Sequence, residues 1–376
     1  MDNILFSTAL AFIITFFSIP VIIQVAKAKK LYDEPDERKV HKNVIPTLGG
    51  LGIFAGFALA VLMGIPAGQN PEFQFFVAAT VVIFFLGIKD DIMILSATKK
   101  FVGQLVAAGI LIKFGGVQIT NMHGFLGVYE IPYFAGILLS LFTIIVITNA
   151  FNLIDGVDGL AGSLGLVTTL AFGIYFTMAG QIAYGVLAFG LAGSILGFLI
   201  YNFSPAKIFM GDTGSLLIGL INAILVIKFI NIAGAAGASI PIATAPAIGF
   251  AVLMVPLFDT LRVFAIRIIS RRSPFSPDRN HVHHFLLDLG FSHRQIALSC
   301  SAAAVSFIAI AFLLNWLNIN TTAIIAVLLA VCCSMTALIF KLRQKSKTSF
   351  LSNTIDKDII KTHKIINFVP DALEAN

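Results

Sequence analysis

Charge is what this sequence has least of. Asp, Glu, Lys and Arg make up only 12% of its 376 residues, against roughly 25% in a soluble domain. Hydrophobic residues make up 58%, so a water-soluble fold with a single anchor is excluded and an integral membrane protein remains. Cysteine is scarce too: Cys300, Cys332 and Cys333 lie inside apolar runs without metal-ligand spacing, which excludes a disulfide framework or a thiolate metal site. The short alternating segments of a transmembrane barrel are missing. Met1-Asp2-Asn3 lacks the positive start of a cleavable signal, so the run after it reads as a retained span.

What is present is a series of long apolar runs, near 4–26, 48–66, 73–89, 101–114, 132–149, 160–179, 182–201, 214–231, 241–270, 295–316 and 320–341. Runs of about 20 residues match helices crossing a hydrocarbon layer of roughly 30 Å. The expectation is an all-α polytopic membrane protein with about eleven transmembrane helices. Residues 1–341 read as a single transmembrane catalytic domain and 342–376 as a lysine-rich, partly disordered cytoplasmic tail. All of the 25 Lys and Arg except Lys113 and Lys228 fall in loops or span ends on one side. Positive charge stays in the cytoplasm, which places the N-terminus in the periplasm and the C-terminus in the cytosol. It also explains the net charge of +6 without nucleic acid. The periplasmic connection 115–131 has β-favouring residues around Asn121 to Gly124 and predicts a small hairpin. Pro246 and Pro256 predict a kink or break in the ninth span. Asp259 lies within that span, with Arg262 as its expected partner.

The acids fall in a pattern. Asp90 and Asp91 end the third span, Asp155 and Asp158 follow the fifth, and Asp212 follows the seventh. All five reach the same cytoplasmic mouth. Each carboxylate would cost roughly 2.5–3.5 kcal/mol at mid-bilayer, so they line a hydrated pocket. Asn149, Asn152, Asp155 and Asp158 fall three residues apart, a spacing that shares a face on a helix. Carboxylates with few cations among them want a hard divalent ion, and Mg²⁺ or Mn²⁺ suits oxygen ligands shared with phosphate. Two cytoplasmic loops bring cationic groups for a diphosphate: 38–50, and 270–284 with its three histidines. Topology alone requires no imidazole, and the histidine spacing is not that of a zinc helix.

Together these segments resemble the polyprenyl-phosphate N-acetylhexosamine-1-phosphate transferases. The resemblance runs over residues 38–295. It rests on Pro46-Thr-Leu-Gly-Gly50, Lys89-Asp-Asp91 with Leu95-Ser-Ala-Thr-Lys-Lys100, 149–159, Asn202, Phe209-Met-Gly-Asp-Thr-Gly-Ser215 and 273–284. The last motif, Arg279-Asn-His-Val-His-His284, is similar to the WecA/TagO branch, whereas MraY-type enzymes carry three adjacent histidines.

The resemblance implies transfer of N-acetylglucosamine 1-phosphate, or a related hexosamine 1-phosphate, from its UDP-sugar to undecaprenyl phosphate with release of UMP. That reaction would begin an O-antigen, common-antigen, teichoic-acid or capsule lipid intermediate. It implies Mg²⁺, with Mn²⁺ as a substitute, a multi-pass protein of the bacterial inner membrane, and an active site on its cytoplasmic face. Asp212 is the implied metal ligand with Asp155, while Asp90, Asp91, Asp155 and Asp158 form the catalytic set. Lys42, Thr47, Lys100, Asn152 and Asn202 would line the nucleotide and phosphate pocket, and Arg279, His281, His283 and His284 would hold the sugar phosphate. One of Asp90 and Asp91 would take the proton from the lipid phosphate. The lipid chain would lie in an apolar groove beside the broken ninth span, where Leu253 is expected.

The sequence leaves several points open: which hexosamine and polymer, whether a homodimer forms, and whether the lipid phosphate attacks directly or an aspartate forms an intermediate. Direct attack is favoured, because a phosphate monoester is an adequate nucleophile once its charge is screened. An MraY-type phospho-MurNAc-pentapeptide transferase is the alternative within the family. A secondary transporter is the rival from another class; it would place its acids near the midplane and show an inverted repeat, and no repeat is visible. An intramembrane aspartyl protease would need glycine where Phe209 stands.

Overall fold

The computed structural model describes residues 2–29, 32–33, 45–66, 68–272 and 280–366. The apolar runs fold as helices in the expected order. They are α1 (Asp2–Lys29), α2 (Gly49–Gly64), α3 (Phe73–Ile92), α4 (Ala97–Lys113), α5 (Tyr133–Ile154), α6 (Leu160–Met178), α7 (Ile182–Asn202) and α8 (Gly211–Ala233). After them come α9 (Ala245–Val252), α10 (Met254–Ile269), the short α11 (Val282–Asp288), α12 (His293–Trp316) and α13 (Thr321–Ile366). Two small ribbons complete the described fold: β1 (Tyr32–Asp33) pairs antiparallel with β2 (Ile45–Pro46), and β3 (Asn121–Phe125) with β4 (Val128–Glu130). By length and composition, α1, α5, α6, α7, α8, α12 and the part of α13 up to Lys345 suffice to cross a bilayer. The chain is a multi-pass membrane protein.

α8 is the axis of the bundle. It packs against α2, α3, α5, α6, α7 and α9, and 78% of its apolar window is buried against 17% for α13. Lipid tails are as apolar as leucine, so helix contact in a membrane depends on close backbone packing at small residues. Gly50 and Gly214 supply that packing between α2 and α8: a Cβ on Gly50 would lie 2.2 Å from the Gly214 nitrogen.

The ninth apolar run breaks at Leu253, between α9 and α10. Pro256 in the first turn of α10 has no N–H to continue the ladder from α9, so the helix restarts there. Leu253 itself is buried, packed inside the bundle and not on a lipid-facing groove. The hairpin expected at 115–131 is β3–β4. It docks on the start of α13, where Leu126 N–H donates to Thr322 Oγ1 (2.7 Å) and Thr321 Oγ1 donates to His123 O (3.0 Å). α13 has 46 residues, about 70 Å at 1.5 Å per residue, so its last turns run well past an apolar layer of roughly 30 Å. The tail expected after 341 thus begins as a continuation of α13, and residues 367–376 lie outside the described residues.

Candidate functional site

Segments far apart in sequence are pinned together at one end of the bundle. Phe209 N–H donates to Pro46 O (2.8 Å), Gly49 N–H to Phe209 O (2.9 Å) and Gly50 N–H to Met210 O (2.8 Å). These bonds hold the turn before α2 against the entry to α8, with Thr47 half-buried among them. Gly211 opens α8 at φ +72°, in the left-handed region where glycine is favoured. A Cβ there would also strike the Asp91 carboxylate, 2.7 Å from Oδ1.

The two acids that end α3 do different things. Asp91 caps α8: Oδ1 accepts Asp212 N–H (2.7 Å), and Oδ2 accepts Thr213 N–H (3.1 Å) and the Thr213 hydroxyl (2.5 Å). A carboxylate there satisfies free N–H groups of the first turn and meets the positive end of the helix dipole. Asp90 accepts Leu95 N–H on Oδ1 (2.7 Å) and directs Oδ2 at the Lys100 ammonium, 2.6 Å away. Lys100, in the first turn of α4, also lies 2.7 Å from Asp212 Oδ2. Asp90 and Asp212 therefore converge on one cation.

Asn152 donates to Ser215 Oγ (3.0 Å), tying α5 to the same turn of α8. Asn149 pairs with Gln104 through reciprocal amide bonds of 2.8 and 3.3 Å, which join α5 to α4. The shared helix face expected for 149–158 is interrupted. α5 stops at Ile154, and Asp155 takes ψ 52° to start the turn. Asp155 is pushed up to about 8, first by burial and then by the negative charges of Asp212, Asp91 and Asp158. Asp158 has partners of its own: its Oδ2 accepts Ala206 N–H (3.1 Å) and lies 3.2 Å from His293 Nδ1. Asn202 braces the same turn, accepting Gly159 N–H (2.9 Å) and donating to Ile208 O (2.9 Å).

The histidine loop closes over this turn. Asp259 holds its entry, accepting Val282 N–H (3.0 Å) and lying 2.8 Å from His281 Nδ1 and from Arg262, its expected partner. Arg262 also donates to Asn280 O. His283 is buried and lies directly on the acid turn, so a Cβ on Gly156 would come within 2.7 Å of its Nε2. Burial first, then neighbouring His284, push His283 down to about 3, so its imidazole is neutral at physiological pH. The His284 ring packs 4.3 Å from that of His283. Lys42 and Arg279 lie outside the described residues.

Among the described residues, no three His, Cys, Asp or Glu side chains stand close enough together to hold a metal ion by themselves. The donor set still fits a hard cation, since Mg²⁺ is usually held by one or two carboxylates with phosphate and water completing the shell. Asp90 and Asp212 already share one cationic group, and Asp155 lies in the field of three further acids.

Three cavities adjoin the site, the smallest, of about 160 Å³, lying against Asp259 and His283. A second, of about 200 Å³, is bounded by Lys100, Gln104, Asn149, Asn152 and the buried Arg267. The third, a groove of about 770 Å³, runs between α10 and α13, with Phe250, Phe258, Leu261, Leu329 and Phe340 on its walls and Arg262, Asn280 and Thr336 among its polar residues. Sequence reasoning named Ser215 only as the end of the 209–215 motif, without a role, and missed Gln104, Arg267 and His293. Gln104 was open to inference, four residues after Lys100 and so on the same face of a helix. Ser215, three residues after Asp212, was open in the same way, while Arg267 and His293 meet the site only through tertiary packing.

The acids that meet Lys100 and the histidine turn packed on Gly156 mark the candidate site of a membrane enzyme, and known proteins show its class. Residues 73–230 match the model of glycosyl transferase family 4. The chain is 32% identical over 354 residues, 90% of its length and 95% of the relative's, to a probable undecaprenyl-phosphate N-acetylglucosaminyl 1-phosphate transferase of Bacillus subtilis. It is 38% identical over 316 residues (77% of this chain, 76% of the relative) to a decaprenyl-phosphate N-acetylglucosaminephosphotransferase of Mycobacterium tuberculosis. An undecaprenyl-phosphate alpha-N-acetylglucosaminyl 1-phosphate transferase of Escherichia coli K12 is 31% identical over 300 residues (78% and 79%). The chain belongs to the polyprenyl-phosphate N-acetylhexosamine-1-phosphate transferases, within glycosyl transferase family 4.

Proposed function

We propose that this protein transfers N-acetylglucosamine 1-phosphate from UDP-N-acetylglucosamine to undecaprenyl phosphate at the cytosolic face of a bacterial inner membrane. The observation that carries the reading is the convergence of Asp90 and Asp212 on one cationic point beside Asn152 and the Asp155 turn. The names of the relatives supply the sugar and the lipid. The side follows from the Lys and Arg that crowd the acid-bearing end.

In the reaction an oxygen of the lipid phosphate bonds to the sugar-bearing phosphorus. The bond from that phosphorus to the oxygen of the uridine phosphate breaks, and UMP leaves with the electron pair. Asp90, whose Oδ2 faces Lys100 and not a backbone amide, accepts a proton from the lipid phosphate, an effect worth about 10²–10⁴ in rate. A Mg²⁺ ion, or Mn²⁺ in its place, held by Asp212 and Asp155, would supply positive charge to the diphosphate when bound. Lys100 lies between Asp90 and Asp212 and on the wall of the polar cavity, from which its ammonium reaches phosphate oxygens. Asn152 and Asn202 hold the turn, Asp91 presents Asp212, and the neutral His283 with His284 meets the sugar phosphate. Thr47, and Lys42 beyond the described residues, complete the nucleotide pocket in this reading, and Arg279, also beyond them, joins the histidines at the sugar phosphate. The lipid chain lies in the apolar groove between α10 and α13.

The test uses purified protein in detergent with UDP-N-acetylglucosamine. UMP released only when both a divalent ion and a polyprenyl phosphate are present supports the reading. Substrate uptake into vesicles without UMP would place the protein among transporters, and a panel of UDP-sugars would expose a different hexosamine.

A further inference from the structure

We propose that Arg343, near the end of the apolar part of α13, is a positioning residue for the histidine turn. The inference rests on the transferase reading for its kinetic consequence, but not for its geometry.

α11 has seven residues, far below the roughly 12–15 at which an isolated helix becomes even marginal in water. Its position must be imposed from both ends. At the N-terminal end Asp259 accepts Val282 N–H and pairs with His281. At the other end Arg343 places Nε 2.7 Å and Nη2 2.6 Å from Asp288 Oδ2. The same guanidinium lies 4.4 Å from the Phe285 ring centroid, and Phe285 in turn packs on Phe340, 5.9 Å between centroids.

Local preference does not explain this arrangement. Asp288 is in the last turn of α11, where a negative charge opposes the helix dipole, and the arginine offsets it. A planar guanidinium that both donates to a carboxylate and stacks on a ring fixes orientation as well as distance. His283 lies between the two anchors and rests on Gly156, one residue from Asp155. Loosening the C-terminal anchor therefore changes how the imidazole sits over the acid turn, although Arg343 takes no part in the chemistry. α13 is the least enclosed of the spans, so this clamp also ties the helix that leads into the tail to the site.

Hydrogen exchange on the full-length protein in detergent, without substrates, tests the clamp directly. Arg343→Met should speed exchange of the amides of 282–289 about five- to tenfold, the combined scale of a partly exposed ion pair and a cation–π contact. The remaining helices should be unchanged. Exchange of the two charges, Arg343→Asp with Asp288→Arg, should bring the rate back toward wild type. In kinetics, Arg343→Met should raise KM for the UDP-sugar several-fold while KM for the lipid phosphate stays put. Unchanged exchange, acceleration spread over all helices, a swapped pair as loose as the single variant, or a change confined to the lipid KM would each overturn the proposal. Wild-type UMP release is measured alongside. Its absence would sink the transferase reading and leave the exchange result to decide the clamp alone.

Discussion

Asp91 and Asp212 stand 121 residues apart in the chain, yet the first caps the helix whose first turn holds the second, Oδ1 accepting Asp212 N–H at 2.7 Å. Adjacent acids at the end of α3 therefore make different contacts, Asp91 with the first turn of α8 and Asp90 with Lys100. Loss of a cap costs about 0.5–2 kcal/mol. Asp91→Ala should lower the melting temperature of the purified protein by a few degrees and reduce turnover. Asp90→Ala should reduce turnover with little loss of melting temperature. Calorimetry on both variants checks this, and an equal drop in melting temperature for Asp90→Ala would remove the distinction.

Lys100 fills the space between Asp90 and Asp212 at 2.6 and 2.7 Å, so its ammonium competes with any divalent ion for the same oxygens. Lys100→Met should bind Mn²⁺ more tightly than wild type when substrates are absent, read as loss of the free-Mn²⁺ electron paramagnetic resonance signal. The same variant should lose most of its turnover, because the phosphate loses a cationic partner. Asp212→Asn should weaken Mn²⁺ binding and abolish turnover while the folded protein stays in the membrane. Mn²⁺ affinity indifferent to Lys100 would mean that the ion sits elsewhere.

The acid turn makes a pH prediction whose sign can be worked out. Asp155 goes from an ordinary 3.8 up to about 8 in the folded protein. Between those values the folded state holds a proton that the unfolded state has released, so stability falls as pH rises through that window. His283 works oppositely, down to about 3 from 6.5. Its contribution grows with pH up to the unfolded value and is flat above it. The interval from about pH 7 to pH 8 therefore isolates the carboxylate. In chelator the melting temperature should fall across that interval, and Asp155→Asn should flatten the curve. Added Mn²⁺ should shrink the fall by favouring the ionised form. A rise across the same interval would contradict the burial of Asp155 among other acids.

Much of this was legible in the sequence, for reasons that particular residues show. The helices were visible because apolar runs of membrane length allow few alternatives. A break in the ninth run was visible because proline cannot donate a backbone hydrogen bond, but its place at Leu253 was not. Asp259 was identified from its position inside an apolar run, and Arg262 from the spacing of a helical pair. His281, the second partner of Asp259, lies 22 residues on, and no local pattern announces such a contact. The division of labour between Asp90 and Asp91 was equally hidden, since it depends on where α8 begins relative to the end of α3. The expected shared face of Asn149, Asn152, Asp155 and Asp158 failed at Ile154, where the backbone leaves the helix and turns Asp158 toward Ala206 and His293. Spacing predicts a face only while the helix lasts.

The apolar groove offers a comparison between two leucines of the interrupted ninth run. Leu261 lies on the groove wall and is 38% exposed, whereas Leu253 is 1% exposed at the break itself. An arginine at 261 can extend along the groove without disturbing the bundle, and it places a charge where a polyprenyl chain would lie. Leu261→Arg should therefore raise KM for the lipid phosphate several-fold and leave KM for the UDP-sugar unchanged, with normal yield of folded protein. Leu253→Arg would bury a charge among packed helices without a partner, which removing one side of a buried pair suggests costs about 3–5 kcal/mol. Its result should be lost folded protein, not altered kinetics. Detergent extraction with size-exclusion chromatography separates these outcomes before any assay is run. If Leu261→Arg folds and uses the lipid as well as wild type does, the chain lies elsewhere and the groove between α10 and α13 has another role.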